Sequence, residues 1–305
     1  MSIVRFRPSP FAPFWLLLAL LFTMPALAEP EVPEAARTEL ETAFQAAGAA
    51  IIKGPTDVPI AEQAVLQLPS GFHFVPAEQA RQLLEAMGNP GADNVQGMIF
   101  PANEENAQWF IVVSLSLTGY IKDDDAKDWK ADTLLAEIRK GTEAANSERR
   151  ARGLPELLVD SWVEEPHYDP ETHRLRWSLS SRLSDQEKAA GVNYNTLMLG
   201  REGYISMNLV TDLASIERLK PIARNMLASL EFDPGKRYAD FQAETDKIAE
   251  YGLAAIVAGV AAKKLGLLAL AGVFVAKFAK VIIAAVMMAV AALGIKLGKG
   301  KTERT

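Results

Sequence analysis

The sequence predicts an α+β domain, an antiparallel sheet (meander) flanked by helices, followed by a C-terminal transmembrane helical segment. Three observations carry this. Four strand-like segments, residues 157–165, 175–182, 193–199 and 204–211, follow one another through turn signals at Asp169-Pro170, Gly191 and Gly200-Arg201-Glu202-Gly203. Segments with helical periodicity flank that meander on both sides. Strongly apolar, basic blocks lie at the two ends of the chain, and the middle is acidic.

Taken in order, residues 29–50 are acidic and alanine-rich and read as a helix over 33–50 or a mobile leader ending near Gly54-Pro55. A strand around residues 63–68 runs into the turn Pro69-Ser70-Gly71, and residues 72–75 begin the next strand. Pro76 opens a helix over residues 77–87, with Ala80, Leu83, Leu84 and Met87 at helical spacing, and Gly88-Asn89-Pro90-Gly91 stops it. Residues 97–100 and 109–117 read as paired strands. Asp124 or Asp125 is expected to cap a helix running to about Arg150. After the meander comes a helix over residues 212–230, which Pro221 should kink or break. A turn at Phe232-Asp233-Pro234-Gly235 leads to a helix from Tyr238 that continues into the apolar tail.

Charge divides the 305-residue chain into three materials. Residues 1–28 carry Arg5 and Arg7 and no acid. Residues 29–250 hold 22 basic against 37 acidic residues, a net of −15, and residues 251–305 hold eight basic residues against Glu303, a net of +7. The acidic middle argues against nucleic-acid binding, because neutralising phosphates needs a basic surface. With no cysteine in the chain, a disulfide scaffold, a cysteine nucleophile and a thiolate metal site are excluded.

Both apolar ends carry location signals. Arg5 and Arg7, the apolar run of residues 14–22 and Ala26-Leu27-Ala28 form a secretory signal pattern over residues 1–28, with an uncleaved anchor as the alternative. The exported domain then spans residues 29–250, and residues 251–305 form the membrane-anchoring segment with a basic tail. Three apolar stretches, 253–262, 265–276 and 281–295, are punctuated by Lys263, Lys264, Lys277 and Lys280. Only the last approaches spanning length: about 17 residues reach roughly 25 Å of a core of about 30 Å. A hairpin is the competing topology, but it buries Lys263 and Lys264 at about 2.5–3.5 kcal/mol each. The expected partner is the lipid bilayer through residues 251–297, with the main domain facing the periplasm from the bacterial inner membrane. Gly252, Gly259, Gly266 and Gly272 would let tail helices approach one another, so self-association of the tail is a further expectation.

Two constellations are candidates for chemistry. His167 and His173 flank Asp169-Pro170, and with Glu164 or Glu165 nearby, Glu165 being the one assigned, they resemble a two-histidine, one-carboxylate metal set. Arg174, Arg176 and Arg201 with Asn193 and Trp162 would form a cleft for an anionic or sugar-like ligand. Within Arg174-Leu175-Arg176-Trp177 the arginines share one face and Leu175 with Trp177 the other, which sends Trp177 to the core. Asp123-Asp124-Asp125 lacks the glycine of a calcium loop, and Ser178, Ser180 and Ser181 lack the glycines of a nucleophile elbow. No phosphate-binding or dinucleotide fingerprint is present, so no cofactor and no catalytic residue is assigned.

Several runs occur in order: Pro69-Ser70-Gly71-Phe72, Gly119-Tyr120-Ile121-Lys122-Asp123-Asp124-Asp125-Ala126, Pro166-His167-Tyr168-Asp169, Thr172-His173-Arg174-Leu175-Arg176-Trp177, Val192-Asn193-Tyr194-Asn195, Leu199-Gly200-Arg201-Glu202-Gly203-Tyr204 and Gly235-Lys236-Arg237-Tyr238-Ala239-Asp240-Phe241. Over roughly residues 50–260 these resemble a bacterial family of uncharacterised membrane-anchored proteins. The resemblance implies a signal peptide, an exported domain and a C-terminal anchor, and it assigns no activity. More loosely, a meander closed by a helix and Ser229-Leu230-Glu231-Phe232 is similar in fold to the photosystem oxygen-evolving accessory proteins, which are noncatalytic. The expectation is a noncatalytic interaction or sensing module of the cell envelope, with an envelope protein as partner. A ligand-binding protein or hydrolase built on the histidine hairpin or the arginine cleft is the alternative.

Overall fold

The computed structural model describes residues 34–87, 92–102, 109–151, 155–185, 187 and 191–259, with side chains except those of residues 34–37, 145 and 148. The signal pattern at 1–28 and the apolar stretches from 260 onward lie outside the described residues. The chain divides into two compact units, residues 1–37 and 38–305. Of the first, only the opening turn of a helix, α1 (Glu34–Ala49), is described; everything below concerns the second.

The meander is confirmed and forms half of a larger sheet. In chain order the strands are β1 (Ile52–Lys53), β2 (Thr56–Ile60), β3 (Ala64–Leu68), β4 (Phe72–Pro76), β5 (Val95–Pro101), β6 (Phe110–Ser116), β7 (Leu157–Asp169), β8 (Arg174–Leu183), β9 (Gly191–Leu199), β10 (Tyr204–Asp212) and β11 (Leu230–Phe232). Eight of them pair antiparallel in the order β1-β4-β5-β6-β10-β9-β8-β7, and β11-β3-β2 make a small second sheet. The helices are α1, α2 (Ala77–Ala86), α3 (Ala131–Ala151), α4 (Ile216–Ala228) and α5 (Leu253–Val257).

Strand alternation sorts the core onto the two faces of the large sheet. On one face Phe74, Ile99, Ile111, Val113, Tyr194, Met198, Ile205, Met207 and Leu209 pack with Leu66 and Leu68 of the small sheet and with Leu219, Ala223 and Met226 of α4. On the other face, Val75, Met98, Phe100 and Phe110 lie under Phe44 and Ala47 of α1 and Leu83 and Leu84 of α2. Further along that second face, Leu175, Trp177, Leu197 and Leu199 meet Ile121, Leu134 of α3 and Leu253, Ile256 and Val257 of α5. Trp177 is therefore a core residue, as its strand parity predicts.

α3 guards the outer strand. Strand β7 would otherwise expose unpaired backbone groups. Asn146, 1% exposed, brackets Leu157 by donating to its carbonyl at 2.9 Å and accepting from its N–H at 2.8 Å. Arg139 donates to the carbonyls of Val159 and Asp160, and Arg149 to that of Pro155. Asn146→Ala orphans both backbone groups of Leu157 and should destabilise the domain by about 2 kcal/mol. Hydrogen exchange at residues 155–160 will check it: protection there should fall first, and unchanged exchange would contradict the edge role.

One buried titratable group lies away from any ion pair. His73, on β4 opposite Phe100, is 8% exposed, and its Nδ1 has no partner. Burial, with the charge of Lys53 second, pushes its pKa below the ordinary value. The unfolded chain therefore takes up a proton that the folded chain resists. Its stabilising effect is complete above about pH 6.5 and declines below, by at most ~1.4 kcal/mol per pH unit. Thermal melts at pH 7.5 and 5.0 should show a smaller acid-side loss in His73→Leu than in the natural chain; equal losses would refute this.

Two sequence expectations need correction here. α4 starts at Ile216 rather than 212 and runs through Pro221 as one helix. The missing N–H removes a single hydrogen bond in the second turn, which five buried side chains of the helix outweigh. The expected helix from Tyr238 is instead a short 3₁₀ turn, Tyr238–Asp240, followed by irregular chain up to Gly252. Polar tethers replace the helix. Asp246 holds Arg201 and the N–H of Gln242, and Tyr120 takes the next residues into a two-bond bridge, Tyr120 N–H to Lys247 and Ala249 N–H to Tyr120.

Candidate functional site

Register decides what happens to the predicted arginine cleft. Residues paired directly across antiparallel strands share a face. Arg174 pairs with Met198 and Arg176 with Thr196, which puts both arginines on the face covered by α4 and the small sheet. Asn193 and Trp162 both pair with Leu179, between Arg176-side positions, and so lie on the opposite face. Trp162 packs toward Leu175 and Trp177 there and donates its indole N–H to Ala131 at 3.2 Å. Arg201 is elsewhere again: its guanidinium forks onto Asp246 with two bonds of 2.7 Å and reaches the carbonyl of Gly235 at 3.2 Å. The five residues are thus divided by the thickness of the sheet and form no common cleft.

Arg176 belongs instead to a charged cluster around Glu164. Arg176 Nε donates to Glu164 Oε1 at 2.7 Å, Arg224 donates to both carboxylate oxygens at 2.9 and 2.7 Å, and Lys220 lies 3.7 Å away. Tyr194 completes it, accepting from Arg224 at 2.8 Å. Burial alone would raise the Glu164 pKa, but the Arg176 hydrogen bond and the Arg224 charge together hold it below the usual carboxylate value. Three cations converge on one carboxylate, and Lys220 also holds Glu217 at 2.6 Å, so the cluster reads as a clasp between α4 and the sheet.

The histidine hairpin also folds differently from the expectation. His167 sits opposite Arg176 in β7, whereas His173 lies in the connecting loop with a left-handed backbone, φ 52°. Asp169 organises that loop by accepting from Glu171 N–H at 3.0 Å and Thr172 Oγ1 at 2.7 Å. The bulges in β7 and this loop separate the partners that simple pairing would bring together. Among the described residues no group of three or more histidines and carboxylates is placed to hold a metal ion, so His167, His173 and Glu165 are not assembled as one.

What the fold does assemble is an aromatic and acidic site at this end of the sheet. Tyr168 O–H donates to Asp123 Oδ2 at 2.6 Å, and its oxygen lies 3.1 Å from His173 Nδ1. The His173 ring rests on Tyr238 with centroids 4.1 Å apart, and Tyr120 stacks between Tyr238 and Phe241 at 4.5 and 3.8 Å. Tyr238 O–H donates to the carbonyl of Ile121 at 2.9 Å. Burial, then the bond to Asp123, raises the Tyr168 pKa far above its ordinary value, so Tyr168 stays a donor at any physiological pH. In front of Tyr168 is a cavity of about 460 Å³, bounded by the 3₁₀ turn Asp124–Lys127, Trp129 and the β7–β8 hairpin with Pro166, His167 and Pro170.

The acidic turn has a second role that corrects the capping expectation. Neither Asp124 nor Asp125 caps α3, which starts six residues later at Ala131. Asp125 caps α5 instead: its carboxylate accepts from Leu253 N–H at 3.2 Å and Ala254 N–H at 3.0 Å. The approach is close enough to require Gly252, where a Cβ would lie 2.5 Å from Asp125 Oδ2. Beyond the cap, Leu253, Ile256 and Val257 are 0%, 7% and 3% exposed. The start of the first apolar stretch is therefore occupied by the domain core. Among the described residues no helix is long and apolar enough to cross a membrane.

Sequence reasoning passed over Trp129, Tyr168 and Tyr120. The runs around Tyr120 and Tyr168 were the available signal, because each sets a tyrosine within three residues of an aspartate.

No curated protein matches the chain. Among solved structures, the solution structure of cyanobacterial PsbP (CyanoP) from Synechocystis sp. PCC 6803 is similar, with 12% identity over 61% of this chain and 94% of that one and a TM-score of 0.36. Residues 52–287, which take in the whole large sheet, the aromatic site and α5, match the description "Protein of unknown function (DUF2167)", and the chain belongs to that family.

Proposed function

We propose that this chain is an exported domain held at the bacterial inner membrane by its C-terminal apolar segment. There it faces the periplasm and acts as a noncatalytic interaction or sensing module of the cell envelope. The observation that carries this reading is the way the domain grips the root of the apolar segment. Asp125 caps α5, and three of its side chains are buried in the core, so the first apolar stretch begins as a seated helix rather than a loose linker. An anchor serving only to retain a domain needs no such seat, whereas one that transmits strain or occupancy between membrane and domain does. The N-terminal signal pattern and the +7 charge of residues 251–305 supply the export and the membrane contact.

The test is fractionation of cells making the full chain. It should sediment with the inner membrane and resist carbonate extraction, begin at Glu29, and be digested by protease added to spheroplasts. Release by carbonate, or protection of the domain in intact spheroplasts, would overturn the reading. Crosslinking in whole cells followed by mass spectrometry then identifies the envelope partner.

A further inference from the structure

We propose that the cavity between the 3₁₀ turn and the β7–β8 hairpin is a saccharide-binding site. Its volume, about 460 Å³, falls within the ~300–1,000 Å³ of small-molecule sites. The lining combines flat, C–H-rich surfaces with polar groups of both kinds. Trp129, Pro166 and Pro170 present the apolar walls; Asp123 and Asp124 accept hydrogen bonds, and Lys127 and His167 donate them. Charge disfavours an anion, which would face two carboxylates against one ammonium; a cation, though drawn by the carboxylates, would meet Lys127 and leave the apolar walls unused. A metal ion finds no cluster of three ligating groups among the described residues. A neutral polyhydroxylated ring uses the whole lining, with hydroxyls that both donate and accept and a C–H face that packs on an indole.

The walls are held before any ligand arrives. Trp129 is half-buried against the core that contains Trp177 and Leu253. Asp123 is fixed by the 2.6 Å bond from Tyr168, and Tyr168 is backed by His173, whose ring rests on Tyr238. Such preorganisation lowers the ordering cost of binding. The same turn that supplies Asp124 and Lys127 supplies Asp125, the cap of α5. A sugar held by this turn thus contacts the element that seats the root of the tail. This gives the sensing reading a ligand class; only its cellular setting rests on that reading.

The experiment uses the full chain in a detergent without a sugar headgroup. Maltotetraose and chitotetraose are titrated against it by ligand-observed saturation-transfer NMR, with spermidine as the cationic control. At least one oligosaccharide should bind, and both Asp124→Asn, with an unchanged melting temperature, and Trp129→Ala, assayed below its own lower melting temperature, should weaken it about tenfold. Lys140→Ala, on the exposed side of α3, should leave it unchanged. Silence from both sugars, binding of spermidine alone, or sugar binding indifferent to both cavity variants would overturn the proposal. Because the assay contains no cell and no membrane, its failure leaves the anchoring reading standing, and failure of the fractionation test leaves this one standing.

Discussion

Glu164→Ala is expected to lower the stability of the domain by about 3 kcal/mol, the upper end for losing hydrogen bonds to a charged group that is only partly buried. The side chain is 17% exposed, and its loss leaves Arg176 and Arg224 beside a hydroxyl, Tyr194, that cannot neutralise them, while Lys220 keeps Glu217 at 2.6 Å. In melting temperature this is roughly 6–12 °C for a domain of this size. Glu164→Gln separates charge from geometry, since the amide keeps an acceptor for Arg176 and removes the attraction, and should cost less than Ala. The pH dependence has a definite sign. The folded carboxyl is held below its ordinary value, so the cluster stabilises fully above the unfolded carboxylate range and loses its effect as pH falls through the folded value. The gap between the natural chain and Glu164→Gln should therefore narrow as pH falls below the unfolded carboxylate range. A gap that persists there, or an Ala variant within 0.5 kcal/mol of the natural chain, contradicts the clasp.

Leu253→Ala should cost about 3 kcal/mol, the scale for emptying a fully buried leucine position. Its local consequence is more informative than the total. α5 is a single short helix that gains almost nothing from its own hydrogen bonds, so its order comes from the core contacts of Leu253, Ile256 and Val257 and from the Asp125 cap. Hydrogen exchange over residues 247–259 should lose protection in Leu253→Ala while β9 and β10 keep theirs. Asp125→Ala should produce the same local loss at about 1 kcal/mol. Protection of α5 that stays at the natural chain's level in both variants would show that the root is not seated as described, and the coupling between domain and tail would lose its basis.

The meander was legible because each of its strands announces itself locally, through β-forming residues bounded by glycine and Asp-Pro turns. β2, Thr56–Ile60, was not: Asp57 and Pro59 are poor strand residues, and the segment is a strand only because β3 pairs with it. β11 is three residues long and owes its place to the same small sheet. The end of α3 was read correctly and its start was not, because three consecutive aspartates satisfy a capping pattern equally well for a helix that is adjacent in sequence and for one that is 128 residues away.

The candidate site shows the same boundary more sharply. Parity within one strand is a property of the chain, so the separation of Arg174 and Arg176 from Leu175 and Trp177 could be read directly. Parity between strands depends on register, and β7 shifts register three times across its bulges, so nothing in the order of residues could tell that Trp162 and Arg176 lie on opposite faces. The pairing of Asp123 with Tyr168 spans 45 residues and two changes of direction.

By itself, then, the sequence determined what depends on composition and neighbours: the division of charge at residues 28 and 250, the α+β class with its antiparallel meander, the core position of Trp177, and family membership. The tertiary structure alone decided which charged groups neutralise one another, which aromatic rings stack around Asp123, and that the apolar tail starts inside the domain. Hydrogen bonds and packing act over a few ångströms in space, and residues far apart in the chain acquire such distances only when the sheet has paired.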